Sequence, residues 1–143
     1  MAARYQRGLA RRAGNGLVRI LLRLGLGPAR TYLLTVRGRR SGAPRSTPVT
    51  LVEEGGQRWL VSPYGEVAWV RNLRATGQAT LSRGGRTEAV AVREIKPEEA
   101  APVLKWYVTR VPITRPYFDV RPESDLSAFR AEAPQHPVFA IVG

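Results

Sequence analysis

The chain has no cysteine and a single histidine, His136, among its 143 residues. Disulfide staples, thiolate metal sites, iron–sulfur clusters and cysteine nucleophiles are therefore excluded, and a histidine-built metal site nearly so. Lysine is almost as scarce, with only Lys96 and Lys105, and no acidic residue precedes Glu53. No GxGxxG follows a strand pattern, and GxxxxGK[ST], HExxH and GxSxG are all missing. The usual nicotinamide, nucleotide, zinc-protease and serine-hydrolase signatures are thus absent. Chemistry on such a chain asks little of side chains or is borrowed from a cofactor. An apolar share of 43% against 24% charged residues is still that of a globular protein able to bury a core.

What is present is positive charge, unevenly placed. The formal charge is +12. Arg4, Arg7, Arg11, Arg12, Arg19, Arg23, Arg30, Arg37, Arg39, Arg40 and Arg45 all stand before the first acid, whereas the chain from Glu53 onward is nearly balanced. Such a field draws an anion: nucleic acid, anionic lipid, or a cofactor bearing phosphate and carboxylate. Arginine adds a planar fork suited to both groups. A GC-rich genome accounts equally well for arginine over lysine, but not for the missing acids.

Residues 1–14 read as a flexible basic N-terminus, and 15–143 as one domain without internal repeats. Residues 16–25 set Leu17, Ile20, Leu21 and Leu24 at helical spacing, with Arg19 and Arg23 on another face and Gly25, Gly27 and Pro28 beyond. This amphipathic helix packs on the domain, lies on an anionic membrane surface, or lids a ligand site. It is too short to span a membrane, and its arginines interrupt any signal-peptide core. The expected location is the cytoplasm, including the inner face of the membrane. Strand patterns follow at 31–36, 47–52, 58–62, 78–82, 87–95 and 138–142, with hairpin turns at 53–56 and 83–86. Helical patterns occupy 66–75, 97–107 and 125–132. About six mostly antiparallel strands with three or four flanking helices make an α+β, mainly β chain. Its strands are expected to close or half-close into a small barrel, because a doubly wound sheet needs helical crossovers that most connections here lack.

Two acid pairs, Glu53/Glu54 and Glu98/Glu99, are adjacent residues pointing different ways, which suits a turn and a helix start better than a two-carboxylate site. Asp119 and Asp125 have no visible base partner. The informative stretch is Gly-Arg-Arg-Ser-Gly-Ala-Pro-Arg-Ser-Thr-Pro over 38–48. It gathers guanidinium forks, hydroxyls and loose main-chain N–H groups between two strands, the makings of an anion cradle. Composition alone leaves open a phosphate cofactor, RNA or a solvated hairpin tip. Ser-Pro-Tyr-Gly at 62–65, followed by Trp-Val-Arg-Asn-Leu at 69–73, adds a helix start with free N–H groups. Trp106, Tyr107, Tyr117 and Phe118 could wall an apolar pocket or simply pack.

In this order, residues 32–49, 59–65 and 69–73 resemble the deazaflavin-dependent nitroreductase family of actinobacteria. The likeness runs over about residues 15–142. It implies a split β-barrel of the FMN-binding type, an F420-dependent reductase, and reduced coenzyme F420 as the cofactor, with FMN less favoured. By position, Arg39, Arg40, Ser41 and Arg45 would hold the phosphate and acidic tail. Thr47, Pro48 and Val49 would line the deazaflavin ring through the main chain. Val61, Ser62 and Pro63, with Trp69, Asn72 and Leu73, would complete the contacts, although the 62–65 turn lacks a lysine that some members carry nearby. Tyr117, Tyr64 and Tyr107 are the candidates to donate a proton or hydrogen bond, and no metal is expected. The acceptor would be a small or lipid-like alkene, quinone or nitro compound, and a homodimer is compatible with this fold. Two other readings stand beside it: a non-catalytic cofactor- or fatty-acid-binding protein at the membrane surface, and a basic nucleic-acid-binding barrel. The strands lack an evident stacking array of aromatics, which disfavours the last.

Overall fold

The computed structural model describes residues 30–142. The basic segment 1–14 and the helix expected over 16–25 lie outside these residues. Strands β1 (Thr31–Arg37), β2 (Pro44–Glu54), β3 (Gln57–Val61), β4 (Gln78–Arg83), β5 (Arg86–Glu94) and β6 (Val138–Ile141) form a closed barrel in the order β1-β2-β3-β6-β5-β4. Every neighbouring pair is antiparallel. Helices α1 (Ala68–Thr76), α2 (Pro97–Arg110) and α3 (Leu126–Glu132) flank it, with a short 3-10 helix at Pro112–Tyr117. The mainly β barrel read from the hairpin pattern is the observed architecture. Two of its turns carry paired glycines in the left-handed region, Gly55/Gly56 and Gly84/Gly85, the backbone that tight hairpins require.

Alternation along each strand sorts side chains between two cores. Leu34, Val36, Val49, Leu51, Leu60, Leu81, Val90 and Phe139 fill the barrel, and Val70 and Leu73 of α1 join them. The opposite faces of β2, β3 and β6 contribute Val52, Trp59, Val61 and Val138. These meet Leu104, Tyr107 and Val108 of α2, Phe118, and Phe129 of α3. Register places the 38–43 turn, the chain leaving β3 and helix α1 at one end of the barrel. The β2–β3 and β4–β5 hairpins lie at the other end.

Of the boundaries that differ from the sequence expectation, two have a plain local cause. Strand β2 begins at Pro44 rather than 47, because Arg45 and Ser46 continue the ladder opposite Val36 and Thr35; their polarity disguised a paired segment. Helix α1 begins at Ala68 rather than 66, because Gly65 adopts φ 85° and Val67 is still extended. Asp125 caps α3: its Oδ1 accepts from the Ser127 hydroxyl at 2.7 Å and from Ala128 N–H at 3.0 Å. These bonds hold its carboxyl below the usual carboxylate range. Among the described residues, no helix is long and apolar enough to cross a membrane, and no cluster of acidic and histidine side chains could hold a metal ion.

Leu34 is fully buried in the barrel, so Leu34→Ala is expected to cost about 3 kcal/mol in urea denaturation, whereas Ile113→Ala, at an 83% exposed position, should cost almost nothing. Asp125→Ala should lower the Tm at neutral pH. Because the folded carboxyl titrates below its unfolded value, that stabilisation is present above the usual carboxylate range and disappears as pH falls through the lowered one. The Tm gap between variant and parent should therefore narrow in acid.

Candidate functional site

The basic turn closes on itself. Gly38 N–H donates to Ala43 O at 2.7 Å, Gly42 N–H to Gly38 O at 2.8 Å, and Arg37 Nη1 to Gly42 O at 3.1 Å. Ala43 N–H donates to Ser41 Oγ at 3.2 Å. A Cβ at Gly38 would lie 3.0 Å from that same Oγ and 3.4 Å from Ala43 O, so a larger residue there would press on the turn. One anchor comes from outside the turn. The main-chain N–H and the Nη1 of Arg39 both donate to Asn72 Oδ1, at 3.1 and 2.8 Å. Asn72 belongs to α1 and is only 4% exposed.

Two donors on one oxygen fix which way the Asn72 amide faces. Its Nδ2 group points away from Arg39 and finds no acceptor among the described residues, an uncommon state for a buried donor. Arg40 and Arg45 are exposed, and neither side chain has an acidic partner there. The N-terminus of α1 has no side-chain cap and no acid in its first turn, leaving N–H groups free at its positive end. Among the described residues, this end of the barrel therefore offers several unused donors, while its carboxylates Glu66 and Glu94 are engaged by Arg74.

The second half of the site is the turn after β3. Ser62 is buried; its N–H donates to Pro137 O at 2.9 Å and its hydroxyl to Gly65 O at 2.6 Å. Tyr64 meets Tyr117 edge to face, centroids 4.7 Å apart at 82°. Tyr107 is buried beneath them in the outer core, its hydroxyl bonded to Thr114 and close enough to Tyr64 for the two to interact electrostatically. Burial pushes its phenol well above the ordinary tyrosine range, so it keeps its proton at any working pH. The three tyrosines named from the sequence thus converge, but only Tyr64 and Tyr117 are partly exposed.

The remaining sequence candidates divide by face. Arg45, Thr47 and Val49 pair with Val36, Leu34 and Tyr32 on the inward side of β2, while Pro48 sits opposite Leu33 on the outward side. Val49 and Leu73 are buried in the barrel and Val61 in the outer core, so each can offer a ligand only its main chain. Trp69 is partly buried, 6.1 Å from Phe139 centroid to centroid. Sequence reasoning missed Glu132 and His136, which form a buried pair at 2.7 Å behind the 62–65 turn. Their spacing of four residues, with the histidine just past a helix end, was the available signal.

At the other end of the barrel, an open depression of about 520 Å³ is lined by Arg30, Arg58 and Arg110. These arginines are engaged by Glu53, Glu88 and Glu54 respectively, so the depression offers an anion far less.

If Asn72 is the anchor of the basic turn, Asn72→Ala should cost about 1–2 kcal/mol of stability. It should also accelerate hydrogen exchange at the Arg39 amide, read by NMR.

Residues 4–121 match the family model described as F420H(2)-dependent quinone reductase. No curated protein matches the chain. Among solved structures, the F420-H2 dependent reductase FDR-A is 23% identical with a TM-score of 0.57, covering 80% of this chain and 95% of that one. A structure described as a domain-swapped dimer is 21% identical with a TM-score of 0.60, covering 94% of this chain and 100% of that one. A heme binding protein from Mycobacterium smegmatis is 16% identical with a TM-score of 0.56, covering 84% and 48%. At these identities the structures testify to the shared barrel alone. Membership rests on the family model, whose match runs through most of the sequence and agrees with the resemblance carried by the 32–49, 59–65 and 69–73 motifs. The chain belongs to the F420H2-dependent quinone reductase family and is an oxidoreductase that works with reduced coenzyme F420.

Proposed function

We propose that the α1 end of the barrel holds the coenzyme and that the acceptor, a flat conjugated molecule of the quinone type, lies against Tyr64 and Tyr117. The observation that carries this reading is the Arg39–Asn72 joint: a buried amide whose donor is unused among the described residues, flanked by Arg40 and Arg45 with no acidic partner there. A ligand with phosphate and carboxylate groups fits these donors. Arg39, Arg40, Ser41 and Arg45 would hold its acidic part. Asn72 would contribute its free amide, and Trp69 and Leu73 the adjoining helix. Main-chain groups of Thr47, Pro48 and Val49 on one side, and of Val61 and Ser62 on the other, would line its ring; the Pro63 carbonyl is held by His136 instead.

When bound, reduced F420 supplies a hydride. The protein's part is to orient, to exclude water and to manage protons. Tyr64 and Tyr117 present ring surface to an apolar acceptor and phenol hydroxyls to its oxygen, where either can donate a hydrogen bond. Tyr107 stays protonated and supports Tyr64 from below. Arginine charge around the turn offsets negative charge brought in with the ligand. A homodimer belongs to the same reading, supported by a neighbour of this fold that is described as a domain-swapped dimer.

The test is a fluorescence titration with F420 at moderate salt, followed by reoxidation of the reduced coenzyme with menadione. The parent should bind and turn over. Arg40→Ala combined with Arg45→Ala should weaken binding at least about tenfold and flatten its salt dependence, with the Tm unchanged, since neither side chain bonds within the described fold. Asn72→Asp should preserve the bond to Arg39 yet repel the anion, separating affinity from stability. Unchanged affinity in the double variant would overturn the assignment.

A further inference from the structure

Among the described residues, one buried acid–base pair beside the outer core has no place in the reading above. Glu132 and His136 are 6% and 3% exposed, and both lie beyond the stretch matched by the family model. Their contacts run in two directions. His136 Nδ1 lies 3.0 Å from Pro63 O, and Nε2 lies 2.7 Å from Glu132 Oε2. Glu132 also accepts from the main chain of the segment after Tyr117: from Asp119 N–H at 3.0 and 3.1 Å and from Val120 N–H at 3.0 Å. Phe118 stacks on the imidazole, centroids 3.9 Å apart at 23°.

The proton positions follow from this geometry. A carbonyl only accepts, so Nδ1 carries hydrogen and donates to Pro63. The 2.7 Å contact between Nε2 and Oε2 then requires one further proton, resident on either atom. The network is fully satisfied, which is the condition for burying such groups at all. A well-packed apolar pair of similar volume would hold the core as well or better, so packing alone does not account for it. Its directional bonds do something apolar groups do not: they fix two loops relative to each other.

Those two loops carry the tyrosines. Pro63 immediately precedes Tyr64, while Phe118, Asp119 and Val120 immediately follow Tyr117. We infer that Glu132 and His136 are positioning residues that set the separation of Tyr64 and Tyr117, and so the width of the slot that receives the acceptor. This rests on the assignment of those tyrosines to the acceptor wall. Neither Glu132 nor His136 touches substrate or coenzyme in this account; they act through the loops.

The experiment compares menadione KM, kcat and F420 affinity in a small set of full-length variants. His136→Gln keeps a group reaching toward Glu132 but loses the bond to Pro63. It should raise the menadione KM about fivefold while F420 affinity stays within about twofold of the parent. His136→Asn retains a donor near the Nδ1 position and should recover most of the loss. Glu132→Gln should behave like the parent, because its oxygen still accepts from residues 119 and 120 and its amide donates to Nε2. Phe118→Leu leaves every hydrogen bond in place but removes the stack, and should raise KM about threefold; it keeps the test decisive if His136→Gln does not fold. A purely structural staple would lower the Tm and the active fraction in proportion and leave KM untouched, which would overturn the inference. Tyr64→Ala and Tyr117→Ala separate the two levels. If they shift KM but the His136 and Phe118 variants do not, positioning fails alone; if they leave KM unchanged, the acceptor wall itself is misassigned and the inference falls with it.

Discussion

A single side-chain oxygen joins the basic turn to helix α1 at one end of the barrel. Asn72 Oδ1 takes both the main-chain and guanidinium hydrogens of Arg39, tying a hairpin turn to a helix 33 residues further on. Without that joint, the basic turn would be a self-bonded loop projecting from the barrel rim. With it, the Arg39 guanidinium is pinned to α1, Arg40 and Arg45 are left exposed beside it, and the other half of the Asn72 amide remains unused among the described residues. Electrostatic attraction brings an anion to such a place, but the rigid geometry decides how it sits once there.

The barrel makes the joint possible by giving its strands two faces to bury. Inward residues of all six strands need a plug at one end, and α1 supplies it through Val70 and Leu73. Those two residues point into the barrel, and Asn72, on a different face of the same helix, meets the turn. The outward residues of β2, β3 and β6 need separate cover, which α2 and α3 provide. That second core fixes where Tyr107, Phe118 and the Glu132–His136 pair lie. The α1 end of the barrel and the Tyr64–Tyr117 contact are thus consequences of two different packing problems, meeting at the turn after β3.

A chain without cysteine and with one histidine leaves the difficult step to its coenzyme, and what remains is orientation and proton management. The tyrosines are divided accordingly: Tyr107 is sealed and permanently protonated, whereas Tyr64 and Tyr117 are partly open. Surface ion pairs such as Arg58–Glu88 and Arg74–Glu94 add little to stability at such exposure. Their consequence for function is selective: they neutralise Arg58 at the far end of the barrel and Arg74 on α1, and leave Arg40 and Arg45 of the basic turn with charge to spare.

Much of this was legible in order of residues. Hairpin glycine pairs, alternating apolar positions and the lack of helical crossovers are local signals, and they led to a six-stranded mainly β barrel with the basic turn between its first two strands. Strand β2 was read short because Arg45 and Ser46 look like loop yet pair across the hairpin. The pairing of Glu132 with His136 was not read from the sequence, because a spacing of four across the end of a short helix is only a weak sign of partnership. The amino-acid order by itself determined the elements, their faces and the charge of the turn, since these depend on period and composition. Only the closed barrel decided that Arg39 reaches Asn72, that Tyr64 meets Tyr117, and that His136 holds Pro63, because contacts between distant segments depend on strand register and helix docking, which no single stretch encodes.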